Sequence, residues 1–186
     1  MAKKKIKGTK IVISPIGDIP HWICEKIARE VKLFFGFTTE INQLIRDIDF
    51  AFDEDRNQYS SSKILDQLEK KAPADCIKIV AITEKDLFIP ILTYVYGEAR
   101  LNGKPCIVSI QRLVTGLELE AVSKGYRRIV KEAIHELGHT FNLRHCKDPV
   151  CIMHYCRNLE DVDKKSDQYC RYCNILLSDN IKDLGL

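Results

Sequence analysis

The chain around residue 140 carries residue types that could bind a metal ion and activate water. His135 and His139 are four residues apart, and His145 follows six residues later. On a helix, residues four apart lie on one face, about 6 Å apart along the axis, so two imidazoles can bind one ion. Glu136 follows the first histidine, and its carboxylate can accept a proton from water on the metal. This pattern predicts a zinc site with a general base beside it.

Three protein ligands would leave the fourth position of tetrahedral zinc open to water, which is the arrangement of a catalytic site. For His145 to be the third ligand, the helix must end near Asn142 and the chain must turn back. Such a turn needs a backbone conformation that Gly adopts most readily and that Asn tolerates better than most residues. Glu136 would then act on the water at the open position as a base rather than as a ligand.

A second set of metal-binding residue types follows His145 directly. Five of the eight cysteines lie within 28 residues, and these are Cys146, Cys151, Cys156, Cys170 and Cys173. They include a C-x4-C pair and a C-x-x-C pair, and four thiolates satisfy tetrahedral zinc completely. We therefore expect a closed, structural zinc site at Cys146, Cys151, Cys170 and Cys173. Spacing alone leaves His154 and Cys156 open as competing ligands.

The other three cysteines, Cys24, Cys76 and Cys106, lie beside apolar residues and are expected to be buried thiols. The N-terminus is basic and lacks the long apolar region and cleavage site of a signal peptide. Without export, a disulfide framework is not expected. The sequence therefore predicts a cytoplasmic protein with a solvated basic tail.

The histidine pattern resembles the signature of a known enzyme group. The segment from His135 to His145 is similar to the metzincin signature H-E-x-x-H-x-x-G-x-x-H, with Asn142 where the family pattern commonly has Gly. The resemblance implies a zinc metallopeptidase. It also implies a mixed, mainly parallel sheet and an active-site helix that carries the first two histidine ligands.

The residues after the histidines narrow the resemblance. The pattern Cys146-x4-Cys151-x-Met153, followed by Cys170-x-x-Cys173, is similar to that of the archaemetzincins. The resemblance implies two zinc ions, one catalytic at the histidines and one structural at four cysteines. It also makes Met153 a Met-turn residue, an apolar floor beneath the histidines, with ordinary core packing as the alternative.

Tyr155 follows Met153 by two residues. The segment 152–155 resembles the Met-turn of astacin-type metzincins, in which the Tyr phenol approaches the zinc or a bound oxyanion. A packing or surface position is the alternative for Tyr155.

The order of strands and helices in the sequence indicates an α/β fold. Runs of β-branched residues and helical periodicity alternate through the first half, and helical crossovers make neighbouring strands parallel. The predicted strands are 10–14, 37–41, 45–50, 76–82, 93–96 and 106–111. The predicted helices are 21–35, 63–71 and 118–141. The two strands after residue 90 flank Asn102-Gly103, a strong turn signal, and predict an antiparallel edge hairpin.

Length, composition and charge exclude several classes of protein. With 186 residues, 45% of them hydrophobic, we expect one domain, with an α/β part at 1–145 and a Cys-rich part at 146–186. No apolar run approaches the roughly 20 residues that span a bilayer. A net charge of +3 is too small to indicate nucleic-acid binding, and a monomer is expected.

Two functions fit these observations. The first is a zinc peptidase that acts on peptides or proteins, with the strand 106–111 as the sheet edge that pairs with an extended substrate. The second is a catalytically silent, zinc-stabilised module that binds protein or nucleic acid. Glu136 favours the enzyme, because a purely structural site has no use for a base beside an open metal position.

Overall fold

The computed structural model describes residues 10–114 and 122–185, in which strands and helices alternate through the first half and three helices follow the last strand. The strands are β1 (Lys10–Ile16), β2 (Thr38–Ile41), β3 (Phe52–Asp53), β4 (Gln58–Ser60), β5 (Cys76–Thr83), β6 (Leu87–Phe88), β7 (Gly97–Ala99) and β8 (Pro105–Ser109). The helices are α1 (His21–Phe35), α2 (Ser61–Lys70), α3 (Val122–Thr140), α4 (Leu159–Lys164) and α5 (Arg171–Asp183).

The main sheet has five strands in the order β2-β1-β5-β8-β7. The pairs β1–β2, β1–β5 and β5–β8 are parallel, and only β7 runs antiparallel to its neighbour β8. Parallel neighbours follow from helical crossovers such as α1, which returns the chain to the same end of the sheet. The predicted α/β class with a mixed, mainly parallel sheet is confirmed.

Helices cover both faces of this sheet, because successive strand residues point to opposite sides. On one face, Val80 and Ile82 of β5 join a buried cluster with Ile27 of α1 and Leu137 of α3. On the other face, alternate residues of β5 join a second cluster with α2. The first cluster lies directly beneath the histidine-bearing helix and holds that helix on the sheet.

The predicted strand at 45–50 is wrong. Ile45 and Ile48 are both buried, and the chain then forms a short 3-10 helix at Asp49–Ala51. Buried residues three apart suit a helical turn, whereas a strand buries alternate residues. Nearby, β3, β4 and β6 form a separate three-stranded sheet.

The antiparallel hairpin at the sheet edge is confirmed, but the residues of its first strand are not those predicted. The segment 93–96 is not a strand of this sheet, because Val95 makes only an isolated bridge to Leu87 and the ladder with β8 begins at Gly97. The prediction that 106–111 forms the exposed edge is also wrong. Strand β8 lies between β5 and β7, so β7 (Gly97–Ala99) occupies the edge.

Helix α3 begins at Val122 in the described residues, and the predicted start at 118–121 lies outside them, as do the lysines of the tail before residue 10. The segment after α3 packs back on the first cluster through residues such as Met153 and Leu177. Within residues 10–114 and 122–185, every helix is too short or too polar to cross a bilayer.

Candidate active site and metal centres

Three histidine side chains converge at the C-terminal end of α3. His135 and His139 lie on one face of the helix, and their Nε2 atoms are 3.2 Å apart. The ring of His145 lies 5.3 Å from that of His135 and 4.8 Å from that of His139, centroid to centroid. One ring nitrogen from each residue lies within 4.8 Å of the other two. The three imidazoles can therefore share one ion.

A tight turn brings His145 back to the helix. Asn142, two residues after the end of α3, has a φ of 66°, in the left-handed region. The N–H of Leu143 donates to Gly138 O at 2.9 Å, and the N–H of Asn142 donates to His139 O at 2.9 Å. These two bonds form a Schellman motif, in which Asn is the usual substitute for Gly. Asn142 therefore adopts the conformation that returns the chain toward the histidines.

Backbone carbonyls orient two of the imidazoles. His135 Nδ1 donates to Ile152 O at 2.8 Å, and His139 Nδ1 donates to Leu143 O at 2.7 Å. Because a carbonyl oxygen only accepts, each Nδ1 carries the proton and each Nε2 keeps its lone pair for a metal.

The protonation state of the three rings also suits a metal. Burial lowers the pKa of His135 and His145, and it lowers the pKa of His139 to about 4. The imidazoles are therefore neutral at physiological pH, which is the form that binds metal. Three converging neutral imidazole nitrogens fit zinc and leave one tetrahedral position for another ligand.

Glu136 lies between α3 and the edge strand β7. A Cβ atom added to Gly97 would lie 2.7 Å from Glu136 Cγ, so the glycine of β7 leaves room for the carboxylate. Burial raises the pKa of the Glu136 carboxyl, and the carboxylate of Glu132 raises it further. The sequence analysis did not identify Gly97 as part of the site, although a glycine within a strand often marks the close approach of a neighbouring group.

The histidines and Glu136 line one cleft of about 620 Å³. Strand β7 lies along one side of the cleft, and Tyr155, Cys156 and Arg157 line another part. The ring of Tyr155 is 5.2 Å from that of His145, and the residue is 43% exposed. The cleft therefore combines a possible metal site, a carboxylate and a sheet edge.

Four cysteines converge at a second site, which lies at the start of α5. The Sγ atoms of Cys146, Cys151, Cys170 and Cys173 all lie within 4.8 Å of one another. Cys170 is the N-cap of α5, and the nearby backbone N–H of Cys173 lowers the pKa of the Cys170 thiol. Thiolates are favoured at helix N-termini, and four of them suit tetrahedral zinc.

The two competing ligands from the sequence lie outside this group. His154 Nδ1 donates to Cys146 O at 2.9 Å, and Cys156 lines the cleft instead. The remaining cysteines, Cys24, Cys76 and Cys106, are buried, as predicted.

Met153 is fully buried beneath α3. A Cβ atom added to Gly138 would lie 2.5 Å from Met153 Sδ and 2.8 Å from Tyr169 Oη. Tyr169 donates its hydroxyl to Ile134 O at 2.9 Å, one residue before the first histidine. Gly138 and Tyr169 were not identified from the sequence, because both depend on contacts between distant segments.

Lys78 is a further residue that the sequence analysis missed. It is 3% exposed in the middle of β5, and its Nζ donates to Thr140 O at 2.6 Å and to Gly103 O at 2.7 Å. Burial lowers its pKa to about 8. Lys78 thus ties the β7–β8 turn to the C-terminal end of α3, where a cation is favoured. The only sequence signal was a charge inside an apolar strand.

Comparisons with known proteins identify the family of the chain. The model of peptidase family M54 matches residues 17–179. The archaemetzincin of Methanopyrus kandleri is 39% identical over 166 residues, which cover 88% of this chain and 90% of that protein.

Solved structures show the same fold. The crystal structure of the Methanopyrus kandleri archaemetzincin matches with a TM-score of 0.80 at 31% identity, covering 95% of this chain and 97% of that one. The Archaeoglobus fulgidus archaemetzincin, complexed with malonate, matches with a TM-score of 0.78 at 29% identity, covering 90% and 99%. The chain therefore belongs to the archaemetzincins of peptidase family M54 and is a zinc metallopeptidase.

Proposed function

We propose that the chain hydrolyses peptide bonds in the cleft beside His135, His139 and His145, with Glu136 as the general base. The observation that carries this proposal is the convergence of three imidazole nitrogens within 4.8 Å of one another, next to a buried carboxylate in an open cleft. A purely structural metal site has no need of a carboxylate base at this position. The geometry therefore favours the peptidase over the silent binding module.

The reaction needs no covalent intermediate with the protein. Zinc, when bound by the three imidazoles, would polarise the scissile carbonyl and make a water molecule acidic enough to ionise near neutral pH. Glu136 accepts the proton of the attacking water, holds it in its buried environment, and delivers it to the nitrogen of the leaving amine.

Strand β7 is the proposed binding edge for the substrate. It lies at the end of the five-stranded sheet and lines the cleft beside Glu136. An extended peptide can add to a free sheet edge through main-chain hydrogen bonds, which are independent of side-chain identity. Binding along Gly97–Ala99 would bring a peptide carbonyl close to Glu136.

We further propose that the chain binds two zinc ions. The second would lie at Cys146, Cys151, Cys170 and Cys173, where four sulfur ligands leave no position for substrate. Its role would be structural, because Cys146 directly follows His145 and fixes the backbone that presents this histidine.

Three supporting roles complete the proposal. Asn142 makes the turn after α3, and Met153 packs beneath Gly138 as the apolar floor of the histidine site. Tyr155 lies next to His145 at the cleft, which supports a role as a hydrogen-bond donor to the developing oxyanion. Its role as a donor stays a prediction, with a purely surface position as the alternative.

The test replaces Glu136 by Gln, which keeps the size of the side chain but removes the base. Zinc content, measured by mass spectrometry, should stay equal to that of the wild type. Hydrolysis of a quenched fluorescent peptide library should fall by a factor of roughly 10²–10⁴. Glu84→Gln, an exposed carboxylate paired with Lys85, is the matched control and should retain full activity. Equal activity of Glu136→Gln and wild type would exclude Glu136 as the base.

A further inference from the structure

A buried pair of opposite charges lies at the cleft, and neither residue has been given a role toward the substrate. Glu132 is on α3, one helical turn before Glu136, and Lys165 follows α4 directly. Lys165 is 1% exposed and Glu132 is 6% exposed. Both residues line the same cleft as His135 and Glu136.

The two charges are close, but Lys165 Nζ and Glu132 Oε2 make no hydrogen bond to each other. Lys165 Nζ lies 3.6 Å from Glu132 Oε2, which is an ion pair beyond hydrogen-bond distance. Neither atom has a hydrogen-bond partner among the described protein groups. An ammonium carries three hydrogen-bond donors. Burying it without acceptors costs free energy unless another group supplies those acceptors.

Neighbouring cations on α3 show that the fold does satisfy buried charges here. Arg128 forms two hydrogen bonds of 2.7 Å to the carboxylate of Asp163. Lys131 donates to three backbone carbonyls of the segment 162–165, including Lys165 O at 2.6 Å. In this part of the described chain, the interface between α3 and α4 is therefore held by other side chains, and Lys165 Nζ is left without a hydrogen bond.

The chemistry of this pair selects among possible substrate groups. A carboxylate would be attracted by Lys165 but repelled by Glu132, and an ammonium would meet the reverse. An apolar group would leave both charges without partners. A primary carboxamide has an acceptor and a donor side by side, so its oxygen can accept from Lys165 Nζ while its nitrogen donates to Glu132 Oε2.

We propose that Glu132 and Lys165 form a subsite for a carboxamide side chain of the peptide substrate, at a position that flanks the scissile bond. This proposal rests on the peptidase function proposed above. Both residues line the cleft, but Lys165 Nζ and Glu132 Oε2 are buried beneath its surface, so the two side chains must move apart for the carboxamide to insert between them. Glutamine suits this depth better than asparagine because its stem is one methylene longer.

The experiment compares peptides that differ at one position flanking the scissile bond, with Gln, Glu, Lys or Met at that position. Met and Glu match Gln in size but lack one or both halves of the carboxamide pattern. In the wild type, kcat/KM for the Gln peptide should exceed that for the others by roughly tenfold or more. Binding of the same peptides to zinc-loaded Glu136→Gln, measured by fluorescence anisotropy, should give the same order.

Two variants change the preference in opposite ways. Glu132→Gln removes the negative charge and should shift the preference from the Gln peptide to the Glu peptide. Lys165→Met should remove the preference for Gln over Met. Ratios between peptides are compared, because a general loss of rate cancels in them. Lys164→Met, at the exposed last residue of α4, which pairs with Glu160, is the matched control and should keep the wild-type order.

A single change can leave an unpaired buried charge and unfold the protein. The double variant Glu132→Met with Lys165→Met removes both charges and should prefer the Met peptide. An unchanged order of peptides in the variants, or no preference for Gln in the wild type, would overturn the subsite. If the zinc-loaded wild type cleaves no peptide, the proposed peptidase function fails. The order of the peptide affinities for Glu136→Gln still tests the subsite in that case.

Discussion

Gly138 lies between the two helical histidines, where α3 crosses Met153 and Tyr169. Any side chain at this position would occupy the space of the Met153 sulfur and the Tyr169 hydroxyl. Ile152, the residue before Met153, supplies the backbone carbonyl that orients His135. The close approach at Gly138 therefore sets the distance between the active-site helix and the turn beneath it.

Replacing Gly138 by Ala tests this contact, because the contact should reverse the direction in which this change alters the stability of the fold. In an ordinary helix the change would stabilise by about 1 kcal/mol. Here the clash with Met153 should instead destabilise the fold by about 1–3 kcal/mol, measured by urea unfolding of the zinc-loaded protein. In a Met153→Ala background, the same change should cost less. A Gly138→Ala variant more stable than the wild type would contradict the proposed close packing.

At the scale of elements, α3 is joined to α4 by the ion pair of Arg128 and Asp163. Arg128 is buried and also donates to Leu113 O at 3.0 Å, while Lys124 lies 3.0 Å from Asp163. The hydrogen bonds from Arg128 lower the pKa of Asp163 from 3.8 to about 2. The pair therefore links the middle of the active-site helix to the C-terminal part of the chain.

This ion pair predicts a pH-dependent contribution to stability. Because the pKa of Asp163 is lower in the folded state, its contribution is complete above about pH 4 and is lost as the pH falls through about 2. The contribution should be about 2 kcal/mol near neutral pH. The difference in unfolding free energy between wild type and Asp163→Asn should thus shrink between about pH 4 and pH 2. A pH-independent difference for Asp163→Asn would refute the linkage.

At the scale of the whole molecule, the two proposed zinc sites are connected through one short segment. Cys146 follows His145, and its N–H donates to Met153 O at 2.9 Å. The adjacent Ile152 O accepts from His135, and Cys151 Sγ accepts from the N–H of Cys170 at 3.3 Å. Disturbing the cysteine site should therefore disturb the histidine site.

Cys170→Ser tests this connection. The variant should lose one of two zinc ions, because the cysteine site loses a ligand, and its thermal midpoint should fall. Zinc affinity at the histidine site should weaken by roughly tenfold to a hundredfold, measured by titration with a competing chelator. Cys156→Ser is the control that keeps both ions, and it also tests whether Cys156 is a ligand. Full zinc content in Cys170→Ser would contradict the proposed four-cysteine site.

The C-terminal part also belongs to the main core. Phe35 of α1 stacks on Phe141, with 5.4 Å between ring centroids, and it lies 6.4 Å from the ring of Tyr169. These aromatic contacts join the first helix, the active-site turn and the Cys-rich segment. They support the prediction that residues 1–186 form a single domain.

The sequence by itself determined the features that depend on local spacing. A four-residue separation places His135 and His139 on one helix face wherever the helix lies, and Asn142 can end a helix without help from distant residues. The alternation of strands and helices likewise indicated the parallel sheet. These features could be predicted because helix periodicity, capping and crossover direction are set by nearby residues.

Only the tertiary structure decided which groups meet across the chain. It placed β7 rather than β8 at the sheet edge, and it brought Lys78 to Thr140 and Lys165 to Glu132. It also required Gly138 to lack a side chain above Met153. These contacts join residues far apart in the chain, and their energies come from packing and burial in the assembled core, which no local pattern of residues records.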